Sequence, residues 1–182
     1  MKKIFLEGKT IYLRSIEESD LTENYQQWFN DAEVCQFNSH HRFPNYRQNM
    51  EDYYKEVIRS RTNLVLAIVD TETDRHIGNI SLQDIDMINR TAEFAIIVGD
   101  KNFWGRGIGK EAGHLIIHHG FSELNLNRIY CGTSKENIGM IKLAAALGMK
   151  EEGVSRQALY KHGAYHDSIH FGVLRDNYIT TS

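Results

Sequence analysis

Residues 102–113 read NFWGRGIGKEAG, with glycines at positions 105, 107 and 109 directly before a stretch of helical periodicity. Without side chains, Gly105, Gly107 and Gly109 let backbone N–H groups approach a ligand closely, and the start of a helix favours negative charge there. Two familiar phosphate loops are excluded by spacing. A Walker loop needs a glycine six positions before Lys110 and a serine or threonine after it, where this chain has Trp104 and Glu111. The dinucleotide fingerprint needs G-x-G-x-x-G, whereas this run is G-x-G-x-G and follows a strand inside an apparent meander. The residues alone leave two readings: an anion-binding turn, or a tight strand-to-helix connection with no ligand.

Outward from the loop, TAEFAIIVG (91–99) is the last of three consecutive strand candidates, after NLVLAIVD (63–70) and HIGNISLQDID (76–86). The short links TETDR and MINR favour antiparallel hairpins. Past the loop, a helix from Gly107 to about Glu123 carries Ala112, Leu115, Ile116 and Phe121 on its apolar stripe. It leads into a strand NRIYCGT (127–133) and a helix ENIGMIKLAAALG (136–148) closed by Gly148. VSRQALY (154–160) and SIHFGVL (168–174) alternate as strands do. Towards the amino terminus, TIYLRSI (10–16) reads as a half-buried strand. Ser19 or Asp20 can cap a helix bearing Leu21, Tyr25, Trp28 and Phe29, and a second helix runs from Tyr46 to about Ser60. The order β-α-α-β-β-β-α-β-α-β-β implies one α+β domain over residues 1–182. It has about seven strands in a mainly antiparallel mixed sheet and about four helices.

Hydrophobic content of 41% and charged content of 25% suit a soluble fold. With 21 basic against 24 acidic residues the net charge is -3, which offers no field for nucleic acid or an anionic membrane. Apolar runs such as LVLAIV and FAIIV are too short to span a bilayer, and the first ten residues hold no apolar leader, so a cytoplasmic setting is expected. Cys35 and Cys131 match neither zinc nor redox spacing and read as buried free thiols. Among nine histidines, His118 and His119 point in different directions. His114 and His118 have chelating spacing without a carboxylate or cysteine motif to complete a set, so no metal is expected.

The segments AEFAIIV, NFWGRGIGKEA and LNLNRIYCGTSKENIGMIKLAAALGMKEEG resemble the coenzyme-A-binding half of the GNAT superfamily of N-acetyltransferases. The chain is most similar to the branch of ribosomal-protein N-terminal, spermidine and amino-sugar-nucleotide acetyltransferases. LEGKTIYLRSIEESDL, WFNDAEV and YKHGAYHDSIHFGVL extend the likeness over most of its length. The resemblance implies acetyl-CoA as cosubstrate, its pyrophosphate held by the backbone amides of Arg106, Gly107, Ile108, Gly109 and Lys110. The family's (Gln/Arg)-x-x-Gly-x-(Gly/Ala) pattern is met at Gly107 and Gly109, with Trp104 at the Gln/Arg place. It further implies a splayed strand end at Ile96, Ile97 and Val98 that pairs with the pantetheine, with a backbone N–H near Val98 polarising the thioester carbonyl. In the last helix Asn137 and Gly148 match the family pattern, Met149 replaces its phenylalanine, and the tyrosine that often protonates the thiolate falls at Ala144.

Acetyl transfer to an amine needs a base, a polarised carbonyl and a proton for the leaving thiolate. Glu93, on the strand before the loop, is the first candidate for the base; the bland alternative is an exposed carboxylate paired with Arg90 or Lys101. Ser134 and Tyr160 are candidate donors to the thiolate, against a turn residue and an aromatic packed on the sheet. The activity implied is direct transfer of acetyl to a primary amine on a small molecule or peptide. An amino-sugar nucleotide, a protein N-terminus and a polyamine all fit. A polyamine calls for an acidic pocket, which Asp31, Glu33, Glu51 and Asp52 form only if they converge, and SHH (39–41) falls in the connection that borders the acceptor pocket in the family. The alternative is a non-catalytic acyl-CoA-binding or regulatory module. Homodimers are common among similar enzymes.

Overall fold

The links after Asp70 and Asp86 close antiparallel hairpins, as their length dictates. The computed structural model describes residues 3–178. Its strands are β1 Leu6–Glu7, β2 Ile11–Ser15, β3 Leu64–Asp70, β4 His76–Asp86, β5 Thr91–Val98, β6 Arg128–Ser134, β7 Lys150–Lys161 and β8 Ala164–Leu174. The helices are α1 Glu23–Asn30, α2 Arg47–Val57, α3 Ile108–Ser122 and α4 Ile138–Ala146. One mixed sheet holds all eight strands in the order β1-β2-β3-β4-β5-β6-β8-β7, and only β5 and β6 run parallel.

Both faces of the sheet are covered. Ile80, Leu82, Phe94 and Ile129 pack against Ala112, Ile116 and Ile117 of α3, with Ala144 of α4 in the same core. On the other face Tyr12, Val65, Ala67 and Val69 meet Tyr54 and Val57 of α2, while Tyr25 and Trp28 of α1 pack on Met50. β3 is buried along most of its length because both faces carry helices, which explains its run of apolar residues in place of alternation. The α3 side chain Glu111 accepts hydrogen bonds from the Lys9 and Thr10 amides, which fixes the first turn of α3 against the β1–β2 turn.

Two expectations change. The sheet has an eighth strand, β1, whose two residues are too few to carry any periodicity. The cap of α1 is Thr22, whose hydroxyl accepts from the Tyr25 amide at 3.3 Å. Ser19 and Asp20 lie in a preceding 3-10 turn, where the Asp20 carboxylate is taken by Arg14 and by the Glu17 amide. Both cysteines are buried and free. Among the described residues no helix is long and apolar enough to cross a membrane.

The feature that positions a site is a gap within the sheet. β5 and β6 pair at three positions, Thr91 with Arg128, Ala92 with Ile129 and Glu93 with Tyr130. Beyond these, β5 stays with β4 up to Val98, and β6 stays with β8 up to Ser134. The two halves of the sheet therefore part in a V whose apex is Glu93 and Tyr130.

Candidate active site

One edge of the V is a row of backbone groups that the sheet ladder leaves unpaired. The Gly99 N–H donates to Ile77 O on β4, so by the alternation of an antiparallel ladder Val98, Ile96 and Phe94 turn their N–H and C=O groups away from β4, into the gap. Ile97, expected to share that role, pairs with Asn79 of β4 and contributes its side chain instead. Trp104, at the place of the Gln/Arg in the loop pattern, lies over the gap with its indole N–H donating to Val98 O at 2.7 Å.

At the mouth of the V stands the glycine loop. Gly107 caps α3 at φ 80° and ψ 0°, and Gly105 has φ 73°, left-handed conformations open to glycine at no steric cost. Among the described residues, no protein group accepts from the amides of Gly105, Arg106, Gly107, Ile108 or Gly109. The Lys110 amide differs from expectation, since it donates to Gly107 O at 3.0 Å and closes the first turn. Ile108 directs its side chain into the core, and a Cβ on Gly105 or Gly107 would meet nothing within 4 Å. Five amides without a protein acceptor at the positive end of a fifteen-residue helix, with open space beside Gly105 and Gly107, form a cradle suited to a pyrophosphate.

A cleft of ≈ 520 Å³ fills the V. Glu93 lines it at the apex, and Thr133, Asn137, Met140 and Leu143 line the β6–α4 side. Asn137 caps α4 by accepting from the Met140 amide at 3.1 Å, and its Nδ2 donates to the Thr133 hydroxyl at 3.0 Å. Glu93 pairs with neither Arg90, which binds Asn125, nor Lys101, which binds Asp31 and Glu33. Burial raises the Glu93 carboxyl above the usual carboxylate range; Asp84 adds to the rise and His170 opposes it.

The other named residues fall outside this cleft. Ser134 ends β6 with its hydroxyl accepting from the Glu136 amide at 3.3 Å, a turn-forming bond. Tyr160, 51% exposed, packs on Tyr165 with ring centroids 5.0 Å apart. Ser134 and Tyr160 line an adjoining pocket of ≈ 120 Å³ between the β7–β8 hairpin and the α1–α2 connection, which shares Gln36, Phe37 and Asn38 with the cleft. Ala144 is 0% exposed in the core. Among the histidines, His114 Nδ1 lies 3.0 Å from the Tyr178 hydroxyl, and among the described residues no group of three or more His, Cys, Asp or Glu side chains is placed to hold a metal.

On the opposite face of β5 lies a second pocket of ≈ 480 Å³, bounded by α1, α2 and the α1–α2 connection. It shares Asn38, Ala95, Ile96 and Ile97 with the cleft, so the two open onto each other across β5. His40 of the SHH segment lines it, edge-on to Phe29 at 4.7 Å. Burial and the Lys161 ammonium hold the His40 imidazole below its usual range. Two features of this wall were missed in the sequence. Lys161, from the β7–β8 hairpin, donates to the carbonyls of Cys35 (2.7 Å), Asn38 (2.7 Å) and His40 (3.1 Å), and so clamps the connection that forms the wall. The Tyr25 hydroxyl accepts from Asn79 Nδ2 at 2.9 Å, and Asn79 Oδ1 lies 2.8 Å from His76 Nε2. Helical spacing marked Tyr25 as apolar core, and no local signal distinguished Lys161.

The model of the acetyltransferase (GNAT) domain matches residues 10–150. The chain belongs to the GNAT acetyltransferase family. Over 98% of its length it is 30% identical to an uncharacterized N-acetyltransferase, p20, of Bacillus licheniformis, covering 99% of that protein. It is 26% identical to the spermidine N(1)-acetyltransferase of Escherichia coli strain K12, over 93% of this chain and 89% of that one. Among solved structures, this GNAT chain superposes with a TM-score of 0.85 on the spermidine N-acetyltransferase of Vibrio cholerae in complex with CoA and spermine. There the identity is 24%, with 93% of this chain and 98% of that one covered. The mixed sheet with its V between β5 and β6 thus carries the fold of a GNAT acetyltransferase.

Proposed function

We propose that the protein moves an acetyl group from acetyl-CoA directly to a primary amine, and that residues 1–182 act as one catalytic domain. The observation that carries this is the V itself, which joins an anion cradle at one end to a half-buried carboxylate at the other. At about 3.3 Å per residue, Val98 and Glu93 are roughly 17 Å apart along β5. A cosubstrate engaging both ends needs its charged and reactive parts well separated on an extended arm, as coenzyme A has them.

The Gly105–Gly109 amides hold the pyrophosphate, with the Arg106 and Lys110 side chains beside them, and Asn137 keeps α4 in place along the cleft. Val98, Ile96 and Phe94 offer backbone groups to the arm and to the thioester carbonyl. Acetyl-CoA supplies the activated acetyl group. Glu93 takes the proton of the incoming ammonium through water, which frees the nitrogen lone pair. A C–N bond forms as the C–S bond breaks; the sulphur leaves with the electron pair as thiolate and takes up the second proton, which the acylated nitrogen releases, to give the amide and the thiol of coenzyme A. With Ala144 in the core and Ser134 and Tyr160 assigned here to structure, no tyrosine or serine is needed as acid. A thiol pKa of about 8.5 makes the thiolate a leaving group that tolerates the loss of a dedicated donor.

The same view extends to a cytoplasmic enzyme without nucleic-acid or membrane partners, supported by the net charge of -3 and the two free buried thiols. A homodimer is supported by β7, twelve residues long with one edge unpaired. Glu93→Gln tests the assignment through thiol release from acetyl-CoA between about pH 6 and 9. The acid limb of the wild-type profile is expected to disappear, with kcat falling about 10²-fold or more at the optimum. Unchanged rates across that range rule Glu93 out as the base, and binding of acetyl-CoA without turnover of any amine favours a non-catalytic module.

A further inference from the structure

The pocket across β5 from the cleft is unusual in what its wall lacks. Of the fifteen side chains that line it, none belongs to Asp, Glu, Lys or Arg. Five carry amides, Asn38, Asn45, Asn49, Asn79 and Gln83, and Ser81 adds a hydroxyl. Tyr25, Phe29 and Tyr53 contribute aromatic surface. The four carboxylates that could have made an acidic pocket stay outside it, each matched to a cation: Asp31 and Glu33 to Lys101, Glu51 to Arg47 and Asp52 to Lys55. Glu56 and Asp84 act on Tyr53 and Glu93 from beyond the lining.

Charge decides which amines such a wall accepts. A polyamine brings further ammonium groups besides the one that reacts, and desolvating a cation without a counterion is strongly unfavourable. A phosphorylated amine meets the same obstacle with the opposite sign, because His40 is held towards its neutral form. Amides and hydroxyls both donate and accept, which matches the two-way hydrogen bonding of hydroxyl groups. Donors are in place: Asn79 satisfies the oxygen of the Tyr25 hydroxyl and leaves its proton to point elsewhere, and the Asn45 side chain and the Tyr53 hydroxyl make no hydrogen bond within the described residues.

We propose that the acceptor is a primary amine on an otherwise uncharged, hydroxyl-rich body, an amino sugar or amino polyol, in preference to a polyamine or a phosphorylated amine. This rests on the amine entering through this pocket to an acetyl group held in the cleft. Thiol release from acetyl-CoA is measured with glucosamine, glucosamine 6-phosphate, spermidine and a short neutral peptide as acceptors. Glucosamine is expected to exceed each of the others about tenfold or more in kcat/KM. Turnover of spermidine, the phosphorylated amine or the peptide at an equal or higher kcat/KM overturns the proposal and leaves the acetyltransferase function intact. Absence of release with every amine overturns both.

A variant separates charge from shape. Asn49→Asp keeps the oxygen that accepts from the Tyr46 amide at 2.9 Å and adds a carboxylate to the wall near the N-terminus of α2, where it suits the helix. It is expected to raise the spermidine-to-glucosamine ratio of kcat/KM about three- to fivefold, as a partly exposed ion pair does. An unchanged ratio overturns the claim that wall charge sets the preference.

Discussion

Gly107→Ala isolates what the glycine loop contributes. A Cβ at Gly107 would meet nothing within 4 Å, so the substitution brings no clash. What it brings is a left-handed residue at φ 80°, which costs about 1–2 kcal/mol once a Cβ is present. A smaller term opposes it, since alanine restricts the unfolded chain and recovers about 0.4–1 kcal/mol. The strain then emerges in one of two places. If the loop keeps its conformation, the folded state weakens by the net amount, up to about 1.5 kcal/mol, which lowers Tm by roughly 2–4 °C per kcal/mol for a chain of this size. If the loop relaxes to negative φ, stability holds and the amides around Gly107 are reoriented. Acetyl-CoA binding then weakens by a similar free energy, up to roughly 12-fold in Kd at about 1.4 kcal/mol per decade. Thermal unfolding and calorimetric titration with coenzyme A measure the two terms on the same samples. Gly107→Asn is the control, because asparagine visits left-handed backbone more readily, and it should show the smaller combined loss. An alanine variant with unchanged midpoint and unchanged Kd, or an asparagine variant as impaired as alanine, refutes the assignment of the cradle to backbone geometry at Gly107.

Two further outcomes follow from side chains away from the loop. Asp20→Asn breaks a bidentate pair with Arg14 at 2.6 and 2.7 Å between side chains only 5% and 12% exposed, and is expected to cost about 3–5 kcal/mol in urea unfolding. Although burial raises the Asp20 carboxyl, Arg14 and the Glu17 amide hold it below its ordinary value, so its contribution is present above about pH 4 and fades as pH falls through the depressed folded value. Burial also lowers the neighbouring His76 imidazole, so the acid loss of stability starts near its unfolded pKa of about 6.5, and a pH titration of the unfolding midpoint should show both stages. Lys161→Met releases three carbonyls of the pocket wall. The acceptor KM should rise about 5- to 30-fold, as loss of about 1–2 kcal/mol implies, with the coenzyme A Kd unchanged; an equal effect on both ligands contradicts a role confined to the wall.

Donor-side features were legible because they are local. The loop at Gly105–Gly109, the capping Asn137 and the alternation of TAEFAIIV each occupy a short continuous stretch, and backbone geometry follows from residue type there. The cap of α1 moved because a side chain from another element competed for the local candidate. Asp20 would cap α1 by local preference, but the Arg14 guanidinium on β2 claims its carboxylate, and Thr22 caps instead. Chain order places Ser134 near the divergence of β5 and β6 and Tyr160 on the terminal hairpin, but does not reveal that both line a small pocket adjoining the cleft.

The acceptor side has no such local signature. Its wall draws on α1, the α1–α2 connection, α2, β3, β4 and β5, so its neutrality is a property of convergence that no window of sequence contains. Counting charges along the chain misleads there, since Asp31, Glu33, Glu51 and Asp52 are close in sequence to Asn38, Asn45 and Asn49 yet are turned to lysines and arginines elsewhere. Site chemistry and family likeness therefore part at this point. The GNAT framework fixes how the acetyl donor is held, through backbone groups that any side-chain set can present. The spermidine enzymes share that framework with this chain, but a polycation needs carboxylates in its pocket, and here none lines the pocket across β5, while Glu33, which lines the adjoining cleft with Glu93, is paired with Lys101. On the proposed mechanism Glu93 serves the reacting nitrogen and Lys101 neutralises Glu33, which leaves no unpaired carboxylate in either lining for the rest of a polyamine.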